Sequence, residues 1–236
     1  MAPPIQEMPR IVVGPEELLG FGKAWRANNG CLSRTPPFSS MQLGNVFDRK
    51  VGEALATMLG GVRIVEPNSN ALIPPDSDCV EVGPCRIIGG IRPQNFDVAY
   101  RPDGVRFAFD SKTLNDAKSV QKNYQNMIND LGTEATTVHI RFPYAIVAFF
   151  VAVPAPCLVS PQKEALTGTL ERLSQRLSPL DSAHRAEAIA LVVWDPDCGL
   201  VDSSWPEANS CLRIESFAEQ IQKSYAARYK GLPPHE

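Results

Sequence analysis

The sequence predicts an α/β fold in which a mixed central β-sheet is flanked by helices. Three observations lead there. Two apolar runs, AIVAFFVAV (145–153) and AIALVVW (188–194), have the length and composition of buried strands. Two alternating segments, 94–100 and 105–112, read as a β-hairpin around Arg101-Pro102-Asp103-Gly104, a turn with proline second and glycine fourth. Segments of helical periodicity separate these strands, and strands mixed with helices pack as a sheet between covering layers.

The elements follow in order. Residues 16–28 predict a short helix. Residues 46–59 predict a stronger one, because Phe47, Val51, Leu55, Met58 and Leu59 recur at helical spacing. VRIVE (62–66) and RIIGGI (86–91) are strand candidates. The stretch 66–90 is rich in Pro, Gly, Asn and Asp and reads as a long irregular segment of the kind that contacts ligands. After the hairpin, 116–131 predicts a helix closed by Gly132. Residues 161–177 predict a helix with Ser160 as N-cap and Pro161 in the first turn. Residues 214–229 form an amphipathic closing helix.

The 236 residues are read as one domain, 1–236, long enough to bury a substantial core. Apolar (44%) and charged (21%) fractions are those of an ordinary globular chain. The net charge of −3 does not announce a nucleic-acid binder, although residues 86–141 carry eight Lys/Arg against six Asp/Glu. Six scattered cysteines and three histidines, with no C-x-x-C pair, argue against structural zinc. No apolar leader is evident, and the longest apolar run falls far short of a membrane span. The expectation is a cytoplasmic protein with reduced thiols and no membrane partner.

The hairpin carries charges in an apolar setting. Alternation puts Phe96, Val98 and Tyr100 on one face of the first strand and Asn95, Asp97 and Ala99 on the other. In the second strand Val105, Phe107 and Phe109 oppose Arg106, Ala108, Asp110 and Lys112. A tight turn pairs Asp97 with Ala108 and makes Asp110 its diagonal neighbour, about 7–8 Å away at the backbone. Two carboxylates then converge, with Lys112 further along the same face. Taken alone, such spacing also describes a solvated strand face. A charged helix before the pair, a polar helix after it and a long apolar strand beyond favour a site.

These residues resemble the PD-(D/E)xK nuclease superfamily, which includes most type II restriction endonucleases. The resemblance rests on Phe96-Asp97 and on Asp110-Ser111-Lys112, and covers a catalytic core of about 44–153. Asn95-Phe96-Asp97 stands where the family often has Pro-Asp. The family also often draws an acid from a preceding helix, and GNVFDRKVGEAL matches that pattern through Gly44, Phe47, Asp48, Val51 and Leu55. Asp48 is the implied third carboxylate, with Glu53 as the alternative. Some relatives place a Gln on the helix after the Lys, which points to Gln121.

The resemblance implies a restriction endonuclease-like fold and hydrolysis of phosphodiester bonds in double-stranded DNA. Asp97 and Asp110, with the Ser111 carbonyl, are the implied ligands of Mg²⁺, for which Mn²⁺ substitutes. Lys112 steadies charge at the phosphate. Arg92, Gln94 and Asn95 are candidates for DNA contact, and Lys118 and Lys122, spaced i,i+4, for phosphates. A homodimer is implied by analogy, since a two-fold protein matches a palindromic site. The same residues also suit a repair or other defence nuclease, and a non-catalytic binding module is the remaining alternative. Elsewhere, Asp195 and Asp197 in WDPDCG are best read as a strand-ending turn, and His139 and His184 lack partners by spacing.

Overall fold

The computed structural model describes residues 4–68 and 70–235. Helix α1 (Pro15–Ala27) and helix α2 (Ser40–Met58) come first. Four strands follow: β1 (Arg63–Val65), β2 (Cys79–Ile88), β3 (Pro93–Tyr100) and β4 (Phe107–Thr113). Then come α3 (Val120–Arg141), β5 (Ile146–Pro154), α4 (Ser160–Leu173), β6 (Ala188–Trp194) and α5 (Ile214–Tyr229). The strands form one six-stranded sheet in sequence order. The β2–β3 and β3–β4 pairs are antiparallel, while β1–β2, β4–β5 and β5–β6 are parallel. Parallel neighbours need long crossovers, and α3 and α4 supply them for β4–β5 and β5–β6. The α/β mixed sheet flanked by helices is therefore as the sequence predicts.

Every residue of β5 and β6 is buried, as expected where helices cover both faces of a sheet. Phe47 of α2, Phe109, Phe150 and Phe217 of α5 meet edge-to-face on one side. Lys112 points to the opposite side by strand alternation, where it meets α3.

Helix α2 begins six residues before the predicted start. Ser39 and Gln42 form a reciprocal capping box, with Gln42 N–H donating to Ser39 Oγ at 3.3 Å and Ser39 N–H to Gln42 Oε1 at 3.1 Å. Its buried residues Leu43, Phe47, Val51 and Leu55 recur every fourth position. Gly52 lets it lie close on the sheet: a Cβ there would sit 2.3 Å from Val82 Cγ2.

Other boundaries also differ from the sequence reading, and three of them matter here. Residues 79–88, assigned mainly to an irregular segment, form β2, whose two apolar halves are split by a register shift between Val82 and Cys85. Helix α3 runs through Gly132 to Arg141, because its later turns pack buried Ala135, Val138 and His139. Ser160 is inside α4, with Val159 in the N-cap position.

Candidate active site

The β3–β4 ladder pairs Tyr100 with Phe107, Ala99 with Ala108 and Val98 with Phe109. The same register sets Asp97 opposite Asp110. This corrects the pairing drawn from a tight turn, which put Asp97 opposite Ala108. The connection instead spans residues 101–106, closed by the Arg106 N–H to Tyr100 carbonyl bond at 3.0 Å. Its two arginines have partners outside the hairpin strands: Arg101 pairs with buried Glu81 of β2 at 2.6 Å, and Arg106 pairs with Asp103 of the connection itself.

The ladder stops at Val98 and Phe109, and the next donor turns to a side chain. Ser111 donates its backbone N–H to Asp97 Oδ2 at 2.9 Å and its hydroxyl to the same oxygen at 3.2 Å. The Asp97 and Asp110 carboxyls act on each other's ionisation. Burial, then the Asp110 carboxyl, pushes the Asp97 carboxyl well above its ordinary range. Burial also pushes Asp110 up to about 6, with Glu134 adding to the effect and Asp97 and Lys112 opposing it. Two carboxyls this close cannot both ionise without a compensating charge.

Helix α2 brings a third acid to the cluster. Asp48 is 6% exposed, and its Oδ1 has no hydrogen-bond partner. Burial, and then the Asp97 charge, raises its carboxyl, while the Ser111 hydroxyl opposes the rise. Gly44, one turn earlier, permits the approach: a Cβ there would lie 3.0 Å from Ser111 Oγ. Glu53, the alternative acid, is turned outward and bonded to Arg49 at 2.9 Å.

Lys112 donates to Asp110 and, at 2.8 Å, to Glu134 Oε1. Burial pulls its ammonium down, but the Asp110 and Glu134 carboxylates outweigh that and hold it above its ordinary range. Sequence reasoning missed Glu134. It lies on α3 beyond Gly132, where the helix was expected to have ended. It is 3% exposed, its Oε1 also accepts from Gln94 Nε2 at 2.9 Å, and its Oε2 is unpartnered.

The remaining predicted residues are placed as follows. Gln94, expected at DNA, has its amide bonded to Glu134. Arg92 and Asn95 are exposed at the start of the hairpin, and Lys118 and Lys122 are exposed around the start of α3. The Gln121 side chain lies outside the described residues. Ser111 acts through its N–H and hydroxyl on Asp97. Asp195 and Asp197 form a turn, with Asp197 N–H donating to Asp195 Oδ1 at 2.7 Å and Asp197 paired with Arg26. His139 is buried, with its Nε2 3.2 Å from a Glu187 carboxylate oxygen and its Nδ1 2.9 Å from the Ala183 carbonyl. Open grooves of about 580 and 630 Å³ lie elsewhere, around α4, α5 and the 205–211 loop, and share no residue with this cluster.

Among the described residues, no three His, Cys, Asp or Glu side chains make a ready-built metal-ligand group. The donor chemistry nonetheless fits a hard, hydrated cation. Mg²⁺ typically keeps several waters and takes one or two carboxylates from the protein. The adjoining Asp97 and Asp110 provide that number. Comparison with family profiles, curated proteins and solved structures returned no match.

Proposed function

We propose that this chain is a Mg²⁺-dependent endonuclease of double-stranded DNA, a sequence-specific restriction-type enzyme. The observation that carries the reading is a run of four largely buried carboxyls, in which Lys112 joins Asp110 to Glu134 and Asp97 stands beside both Asp110 and Asp48, with one oxygen of Asp48 and one of Glu134 unpartnered. Such an excess of hard acceptors suits a divalent cation. The order of elements supports the same reading: an acid-bearing helix, three antiparallel strands with the acids on the last two, a crossover helix and a parallel strand. That order accompanies the resemblance to the PD-(D/E)xK superfamily.

Hydrolysis forms a bond from a water oxygen to phosphorus and breaks a bond from phosphorus to a sugar oxygen, which departs with a proton. Asp97 and Asp110, with the Ser111 carbonyl, would hold Mg²⁺ or Mn²⁺, which when bound would supply Lewis acidity toward the phosphate and toward a water. Asp97 is aimed by the two Ser111 donors. Lys112, held cationic, stabilises negative charge developing on the phosphoryl oxygens. Electrostatic stabilisation is therefore its role, rather than proton abstraction. Arg92, Asn95, Lys118 and Lys122 are exposed to contact the DNA backbone or bases.

The protein is further read as a cytoplasmic homodimer. Among the described residues, no helix is long and apolar enough to cross a membrane. Incubation with plasmid and phage DNA, with Mg²⁺ or with EDTA, tests the function. Discrete Mg²⁺-dependent fragments are expected. A smear points to a repair or other defence nuclease, and intact DNA with a gel shift to a binding module. Light scattering of the free and DNA-bound protein tests the dimer.

A further inference from the structure

Glu134 sits where three elements meet. It projects from α3, accepts from Lys112 of β4 and accepts from Gln94 of β3, both on Oε1. A lysine side chain has four rotatable bonds, and a single carboxylate restrains it poorly. Here the ammonium is gripped by Asp110 from its own strand and by Glu134 from the helix. Asp110 must also serve a bound cation if the nuclease reading holds, and this inference rests on that reading. Glu134 is then the anion that stays with the amine. Gln94 fixes the rotamer of Glu134 and leaves Oε1 facing both donors. An ordinary buried ion pair would tie α3 to the sheet without regard to where the ammonium ends up.

We propose that Glu134 is the positioning residue for Lys112, holding its ammonium where the scissile phosphate arrives, and that Gln94 buttresses it. Gln94 is thereby assigned to the support of the site rather than to base contact.

The test uses the full chain with Glu134→Ala, Glu134→Gln and Gln94→Ala. Glutamine keeps an oxygen for the Lys112 bond without the charge. The first measurement needs no DNA: acylation of Lys112 by an amine-selective ester, followed by peptide mass spectrometry. Lys112 is expected to label slowly in the wild type, several-fold faster in Glu134→Ala, and near the wild-type rate in Glu134→Gln. Mn²⁺ affinity by calorimetry is expected to hold within about threefold in all variants. Under Mg²⁺, Glu134→Ala is expected to lower kcat by about 100-fold with KM for DNA nearly unchanged, as for a misplaced catalytic group. Gln94→Ala should lower it less, and Glu134→Gln should recover most of the rate. Unchanged Lys112 labelling in Glu134→Ala, or a glutamine variant no better than alanine, overturns the proposal. A wild type that never cuts DNA sinks the nuclease reading, while the labelling result still decides whether Glu134 holds the lysine.

Discussion

Ser111 gives two hydrogen bonds, one from its backbone and one from its hydroxyl, to the same oxygen of Asp97. A residue of one strand thus orients the acid of its neighbour where the backbone ladder has ended. Ser111→Ala removes the hydroxyl and keeps the N–H. The expected result is a cleavage rate about tenfold lower, the cost of one hydrogen bond to a charged group. Single-turnover kinetics on a plasmid measures it.

The three strand residues have no substitutes within the cluster. Asp97→Ala, Asp110→Ala and Lys112→Ala are each expected to lower cleavage by at least about 100-fold while leaving the far-UV circular dichroism intact. An Asp110→Ala variant cutting at the wild-type rate would refute the assigned centre.

Burying several carboxyls beside one another is costly, so the site weakens the metal-free fold. Asp48→Asn removes a buried ionisable group from a position with an unpartnered oxygen. It is expected to stabilise the metal-free protein by about 1 kcal/mol, or about 2–4 °C in Tm for a chain of this size, while reducing cleavage. Mg²⁺ should raise the Tm of the wild type more than that of Asp97→Ala, because binding to the native state alone stabilises it. Scanning calorimetry with and without Mg²⁺ reads both effects.

A second charged network, far from the first in role, governs the acid limb of stability. Glu187 is buried among Arg176 at 3.0 Å, Arg228 at 2.8 Å and His139 at 3.2 Å. Burial works to raise its carboxyl, but His139 and Arg228 outweigh that and hold it below the ordinary range. Its folded-state value is therefore depressed. The stabilisation is complete above the unfolded value, about 4.3, and is lost as pH falls through the folded one. Glu187→Gln strands two buried guanidinium groups and is expected to cost about 3–5 kcal/mol near pH 7. Urea midpoints of wild type and variant should converge as the pH drops below about 4.

What the sequence disclosed depended on how local each signal was. Strand β6 and helix α5 were readable to the residue, because an unbroken apolar run and an amphipathic stretch each carry their own evidence. Strand β2 was hidden by Gly83-Pro84 at its irregularity, which splits one strand into two short apolar scraps. Asp97, Asp110 and Lys112 were visible through two-residue alternation. Their register was not, since it depends on where Arg101 and Arg106 find partners. Glu134 stayed invisible because Gly132 and the threonines after it favour helix ends in isolation. Tertiary packing of Ala135 and Val138 carries the helix onward.

The peptide linking the two acid-bearing strands closes between Tyr100 and Arg106. What it must keep is its length more than its lettering. One inserted residue that slipped the pairing by a single step would turn a whole strand over and send its carboxylate into the opposite helical layer. Point changes at its exposed positions should be absorbed, whereas insertions and deletions should abolish the proposed cleavage without touching an acid or the amine.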